Sequence, residues 1–173
     1  MSNTQSNTPD IRLFTFVFLA SCAVILSALG FEHIGGYQPC KLCLEQRGPW
    51  YMAIPIAAIA LLSVAFKWPD RVSRGAIAIV GVLMLYSLVL AIRHSGVEWQ
   101  WWEGPSDCGA VEGGISTSTG GLLDQLETTL PPSCNEAAAR FLGLSFAGWN
   151  AVASLVLAIV SLKAAYGSSS VSQ

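Results

Sequence analysis

The sequence predicts an all-α membrane protein: a four-helix transmembrane bundle with two outward-facing, cysteine-bearing loops, the second containing a short surface helix. Three observations carry this reading. Only 12% of the 173 residues are charged while 53% are hydrophobic, and soluble domains carry about 25% charge; the mean hydropathy is +0.53. Four stretches reach or approach the roughly 20 apolar residues that a helix needs to cross a ~30 Å hydrocarbon layer. None of them alternates polar and apolar residues with period two, so strands of a membrane barrel are a poor fit. The same composition excludes a disordered chain, whose hydrophobicity would be far lower. Nine Lys+Arg against eleven Asp+Glu leave no basic footprint, and no nucleic-acid partner is expected.

After an N-terminal tail (1–11), the first span covers about 13–31 and contains no charge. Ala28-Leu29-Gly30 has the small-x-small look of a signal-peptidase site, but the apolar run exceeds the 7–15 residues of a signal core, so a retained span is expected. The second span covers about 50–66 and includes Pro55, which a membrane helix tolerates and which is expected to mark a kink. The third covers 75–92. The fourth covers about 141–162, is closed by Lys163, and leads into a tail at 166–173, so the domain runs over 12–165. Between the last two spans, Leu122 to Leu130 is amphipathic and precedes Pro131-Pro132, which suits a surface helix.

Lys67, Arg71 and Arg74 crowd the short connection between spans two and three, with Arg12 and Lys163 on the same side. Lys41, Arg47, Arg93 and Arg140 are spread over the other side. The positive-inside bias makes the short loop and both termini cytoplasmic, and turns the loops at about 32–49 and 93–140 outward. Two spans separate those loops, so they face one compartment whatever the charge rule says. Trp50, Tyr51, Trp99, Trp101, Trp102 and Trp149 cluster near span ends, where interfacial anchoring is the simple reading for most.

Five cysteines divide as one plus four. Cys22 lies within the first span, where it reads as a small buried apolar residue. Cys40, Cys43, Cys108 and Cys134 all fall in the outward loops, and disulfides persist outside the cytosol. Cys40-Lys41-Leu42-Cys43 sits where a helix begins, just after Pro39; the partial positive charge of a helix N-terminus lowers a thiol's pKa and favours thiolate. Arg47 follows Cys43 by four residues, on the same helix face. So small a ring adds little chain entropy, which makes a structural staple a poor use of the pair. Cys108 and Cys134 lie 26 residues apart in a loop whose 104–121 portion is rich in Gly, Ser and Thr, and by themselves read equally as a structural or a redox pair. Structural zinc draws on two close pairs and only one exists here, so no metal is expected.

Two pairs on one face suggest a relay, in which thiolate attack passes oxidising equivalents from disulfide to disulfide. An oxidant dissolved in the bilayer could reach Cys43 and Arg47 at the end of a span. A quinone suits this, because Arg47 could donate to a ring carbonyl and stabilise developing negative charge. The rival from another class is a non-catalytic anchor or electron-carrier subunit, with His33 and His94 as haem ligands or with the cysteines as plain staples.

The run Pro39-Cys40-Lys41-Leu42-Cys43-Leu44-Glu45-Gln46-Arg47, the four spans and a second cysteine pair before the last span resemble the disulfide bond formation protein B (DsbB) family. Phe141-Leu142-Gly143-Leu144-Ser145 entering the fourth span is similar too, and the resemblance covers about 12–165. The vitamin K epoxide reductase-like group is also quinone-linked, but its C-x-x-C normally lies late in the bundle. The DsbB resemblance implies a protein-disulfide oxidoreductase of the bacterial inner membrane. It would reoxidise a periplasmic thioredoxin-like (DsbA-like) dithiol oxidase and reduce ubiquinone or menaquinone. It further implies that Cys108 forms the mixed disulfide with that partner and that Cys134 then exchanges with Cys40. Cys43 would face the quinone, with Arg47 binding it and His94 near it or merely interfacial. Glu45 and Gln46 match variable positions and receive no role.

Overall fold

The computed structural model describes residues 11–104, 134 and 137–166. Helix α1 spans Ile11–His33, α2 Lys41–Ala65 and α3 Asp70–Glu98; a two-stranded hairpin, β1 Arg140–Phe141 and β2 Leu144–Ser145, leads into α4, Phe146–Tyr166. All four helices are long and apolar enough to cross a membrane. Cys108 and the expected surface helix at 122–130 lie outside the described residues.

Several boundaries differ from the expectation: α3 outruns 75–92 by five residues at its start and six at its end, which takes in His94, and two further shifts have plain physical reasons. Helix α2 begins nine residues before Trp50, because Lys41, Glu45, Gln46 and Arg47 depress the hydropathy of a turn that is nonetheless helical. It continues through Pro49 and Pro55, each of which removes one backbone N–H. The fourth helix starts at Phe146 rather than 141, because the chain first makes a tight hairpin. Leu142 (φ 52°) and Gly143 (φ 84°) occupy its two central positions, as a type I′ turn requires. Leu142 is the residue that takes up the unfavourable left-handed conformation, which glycine adopts without strain.

Helix α3 packs against both α2 and α4, and α1 lies mainly on α2. The bundle interior is built from small residues and a few large ones: Ala53, Ala57 and Ala60 of α2 against Phe14 and Val17 of α1, Ile77 and Met84 of α3, and Leu157 and Ala158 of α4. Lipid offers no hydrophobic drive to association, so close approach and interhelical hydrogen bonds must do that work. Gly81 is one such point: a Cβ there would lie 2.8 Å from the Leu162 side chain. The buried Ser154 hydroxyl donates to Ser87 Oγ at 2.9 Å, tying α4 to α3. Large apolar side chains point outward instead, among them Leu19, Leu26, Val82, Val89 and Leu155, as a lipid-facing surface would.

Candidate active site

The site lies where the N-terminal turns of α2 meet the last turn of α3 and the first of α4. Cys40 is the N-cap of α2: its sulfur accepts from the Cys43 N–H at 3.3 Å, and its carbonyl accepts from the Leu44 N–H at 3.1 Å. This cap bends the C-x-x-C so that the two sulfurs lie 2.7 Å apart. The helix-terminus argument for a lowered pKa does not hold at Cys40. The Cys43 sulfur takes its proton in a hydrogen bond, and burial adds to this, so the Cys40 thiol is pushed up to about 12. Two sulfurs this close cannot both be ionised.

Cys134 is 1% exposed and packs in one buried cluster with Cys40, Leu42 and Val97, with Cys43 at its edge. One member of the second pair, more than ninety residues further along the chain, therefore rests on the first pair. His94, in the last turns of α3, is buried, with Nε2 3.7 Å from Cys40 Sγ and 3.7 Å from Glu98 Oε1. Its Nδ1 contacts Gln46 Nε2 at 2.5 Å. Gln46 in turn accepts from Asn150 Nδ2 at 2.5 Å, and Asn150 accepts from the Trp50 indole N–H at 3.0 Å.

On the other side of α2 a cavity of about 570 Å³ opens between α1, α2 and α4, within the usual size for a ligand site. Cys43, Gln46 and Arg47 reach it from α2, Phe31 and Glu32 from α1, and Phe146 and Asn150 from α4. Arg47 donates to Glu32 across the α1–α2 contact, so one of its N–H groups is committed and the guanidinium is oriented by a carboxylate. Phe31, Tyr37 and Phe146 form an aromatic group beside it, with ring centroids 4.9 to 6.3 Å apart.

Of the residues singled out from the sequence, Cys40, Cys43 and Cys134 come together and Arg47 joins Cys43 at the cavity. His94 does not line the cavity; it faces Cys40 from the opposite side. His33 is exposed at the end of α1 while His94 is buried, which gives a shared haem no support. Trp50 is not an interfacial anchor: it is 1% exposed and part of the polar chain to His94. Gln46, assigned no role from sequence, is buried at its centre. Asn150, Glu32 and Glu98 were not singled out at all. The Glu98 side chain is only 4% exposed, and its Oε2 has no hydrogen-bond partner among the described residues; a charge so close to the end of an apolar span was the available signal.

Cys40 Sγ, Cys43 Sγ and His94 Nε2 lie within 4.8 Å of one another and are chemically suited to a thiophilic ion. Two sulfurs on one tetrahedral zinc would stand about 3.8 Å apart, given Zn–S bonds of ≈ 2.3 Å. At 2.7 Å they are set to share a proton or to exchange, not to clasp an ion between them.

The model of the disulfide bond formation protein DsbB family matches residues 10–164. The chain belongs to the DsbB family. Relatives named disulfide bond formation protein B include one from Marinobacter nauticus, 28% identical over 157 residues (87% of this chain, 88% of the relative). Another, from a Polaromonas species, is 30% identical over 156 residues (87% and 88%). A third, from Methylococcus capsulatus, is 29% identical over 154 residues (86% and 90%). No solved structure matches the chain. As a DsbB-family protein it is a multi-pass membrane protein of disulfide bond formation, an oxidoreductase acting on thiols.

Proposed function

We propose that this chain sits in the bacterial inner membrane with both termini cytoplasmic, takes electrons from a periplasmic thioredoxin-like dithiol oxidase and delivers them to a membrane quinone. The observation that carries this reading is the position of the C-x-x-C pair: Cys134 packs against Cys40 on one side, while Cys43 opens with Arg47 onto a largely apolar cavity on the other. A disulfide so placed has a thiol donor behind it and room for a lipid-soluble acceptor in front.

The partner's thiolate attacks Cys108 of a Cys108–Cys134 disulfide, releasing Cys134. The partner's second thiol resolves the mixed disulfide and leaves the partner oxidised. Cys134 then attacks Cys40 of the Cys40–Cys43 disulfide, freeing the Cys43 sulfur at the cavity; Cys108 closes on Cys134 and leaves Cys40 and Cys43 as a dithiol. A quinone, ubiquinone or menaquinone, supplies the acceptor for the two electrons and two protons that this dithiol loses on closing again. The cavity fits such a group: Arg47, oriented by Glu32, would hold a ring carbonyl, and Phe31, Phe146 and Trp50 would line the apolar body. The sum is dithiol plus quinone to disulfide plus hydroquinone.

The purified chain, given a reduced thioredoxin-like partner and a quinone, is expected to reduce the quinone. Cys40→Ser and Cys43→Ser should each lower the rate by at least about 10³-fold, because thiol–disulfide exchange needs both sulfurs. An unchanged rate in Cys43→Ser would end this reading. A reduced partner whose second thiol is replaced by Ser can attack the Cys108–Cys134 disulfide but cannot resolve the product, so its mixed disulfide with Cys108 should accumulate; its absence would instead make the second pair a staple.

A further inference from the structure

Hydrogen-bond directions in the polar chain behind Cys40 follow from its far end. An indole N–H only donates, so the Asn150 atom that meets Trp50 Nε1 at 3.0 Å must be its oxygen. The Asn150 amide nitrogen is thereby turned to Gln46, where it donates to Oε1. Gln46 has then spent its oxygen and presents its amide nitrogen to His94 Nδ1, which must accept. A neutral imidazole that accepts at Nδ1 carries its proton on Nε2, the atom 3.7 Å from Cys40 Sγ. Trp50 and Gln46 are both buried, where a donor turned against a donor is costly, so no link can reverse by itself.

We infer that Trp50, Asn150 and Gln46 are positioning residues that lock His94 as its Nε2–H tautomer and so aim its one proton at the Cys40 sulfur. The groups facing that proton are Cys40, with Cys43 and Cys134 packed beside it, and Glu98 on the same helix as His94, its Oε1 3.7 Å from Nε2. The use of such a donor is specific. When Cys40 is cleaved out of a disulfide its sulfur leaves as an anion, and an N–H pointed at it stabilises that anion. The opposite tautomer would present a lone pair and repel it. The role in exchange rests on the function proposed above; the tautomer does not.

The experiment is ¹⁵N NMR of the full chain labelled at histidine, in lipid nanodiscs at alkaline pH. There are two histidines, so His33→Asn leaves His94 as the sole signal. The parent is expected to show an unprotonated, hydrogen-bonded Nδ1 and a protonated Nε2, favoured by about tenfold or more. Asn150→Asp can only accept, from Trp50 and from Gln46 alike; it should turn the Gln46 oxygen to His94 and invert the tautomer to Nδ1–H. Gln46→Glu should do the same directly. Trp50→Phe, which adds no charge, removes the anchor and should yield a mixture. In the reduced variants that invert, Cys40 should react with iodoacetamide about tenfold more slowly than in the parent. A parent spectrum showing Nδ1–H overturns the inference. So does an unchanged Nε2–H preference in all variants that fold. The spectrum reads the tautomer whether or not the protein reduces a quinone, so the two readings fail separately.

Discussion

Cys40 performs three tasks at one atom: it caps α2, donates to Cys43 and lies against His94. The hydrogen bond to Cys43, followed by burial, pushes its thiol up to about 12, well above the ordinary value near 9, and the His94 contact opposes this only in part. In the fully reduced protein Cys40 therefore stays protonated through the range in which an ordinary thiol ionises. Its alkylation by iodoacetamide at pH 8 is expected to be at least about 10²-fold slower than that of an exposed thiol, rising only as the pH approaches 12. Cys43→Ser removes the largest cause and should speed the reaction; peptide mass spectrometry of the labelled protein reads both. At Arg47 the expectation concerns binding: Arg47→Gln keeps a donor but loses the charge and the Glu32 pair, and should raise the KM for quinone by about tenfold with less effect on the supply of electrons from the partner. Much of this was visible beforehand, since the spacing of Cys40, Cys43 and Arg47 along one helix is local. The chain through Gln46, His94 and Asn150 was not. Its members are separated by 48 and 104 residues, and no spacing rule links residues on three different helices.

At the level of elements, the four spans were legible because length and apolarity decide them, whereas the ends of α2 and α4 were not. Charges at the head of α2 read as loop by hydropathy, yet they belong to a helix whose start is set by a sulfur cap. The hairpin before α4 was hidden inside an apolar run because only its two central residues announce it. Its glycine should be sensitive: Gly143→Ala would place a Cβ at φ 84°, costing about 1–2 kcal/mol, seen as a lowered thermal midpoint. Gly81→Val tests the close approach of α3 and α4. With Leu162 only 2.8 Å from the nearest Cβ position, overpacking should cost about 1–3 kcal/mol and loosen the bundle in the same assay.

On the scale of the whole molecule, the bundle brings two chemistries to opposite faces of one helix turn. Thiols gather on the α3 side of α2, and an apolar cavity opens on the α1 and α4 side. The sequence argument that both cysteine loops face one compartment needed only the count of spans, and the packing of Cys134 on Cys40 agrees with it. Which compartment that is rests on Lys67, Arg71 and Arg74. Replacing all three with Gln is expected to weaken the orientation bias. Labelling of single cysteines placed in the 67–74 connection by a membrane-impermeant reagent should then detect an inverted fraction, where the parent shows none.

The capping role of Cys40 has one more outcome. In the proposed exchange a Cys40 sulfur drawn to Cys134 would let go of the Cys43 N–H, and a helix without its cap loses about 1 kcal/mol and frays at its first turn. Helix α2 thus reports the chemistry in its own backbone: the Cys43 amide should exchange with deuterium several-fold faster while a trapped Cys40–Cys134 bond holds the sulfur away. On that proposal, a covalent event at one atom would become a breathing motion of the helix that lines the cavity, timed to the moment when the Cys43 sulfur is set free.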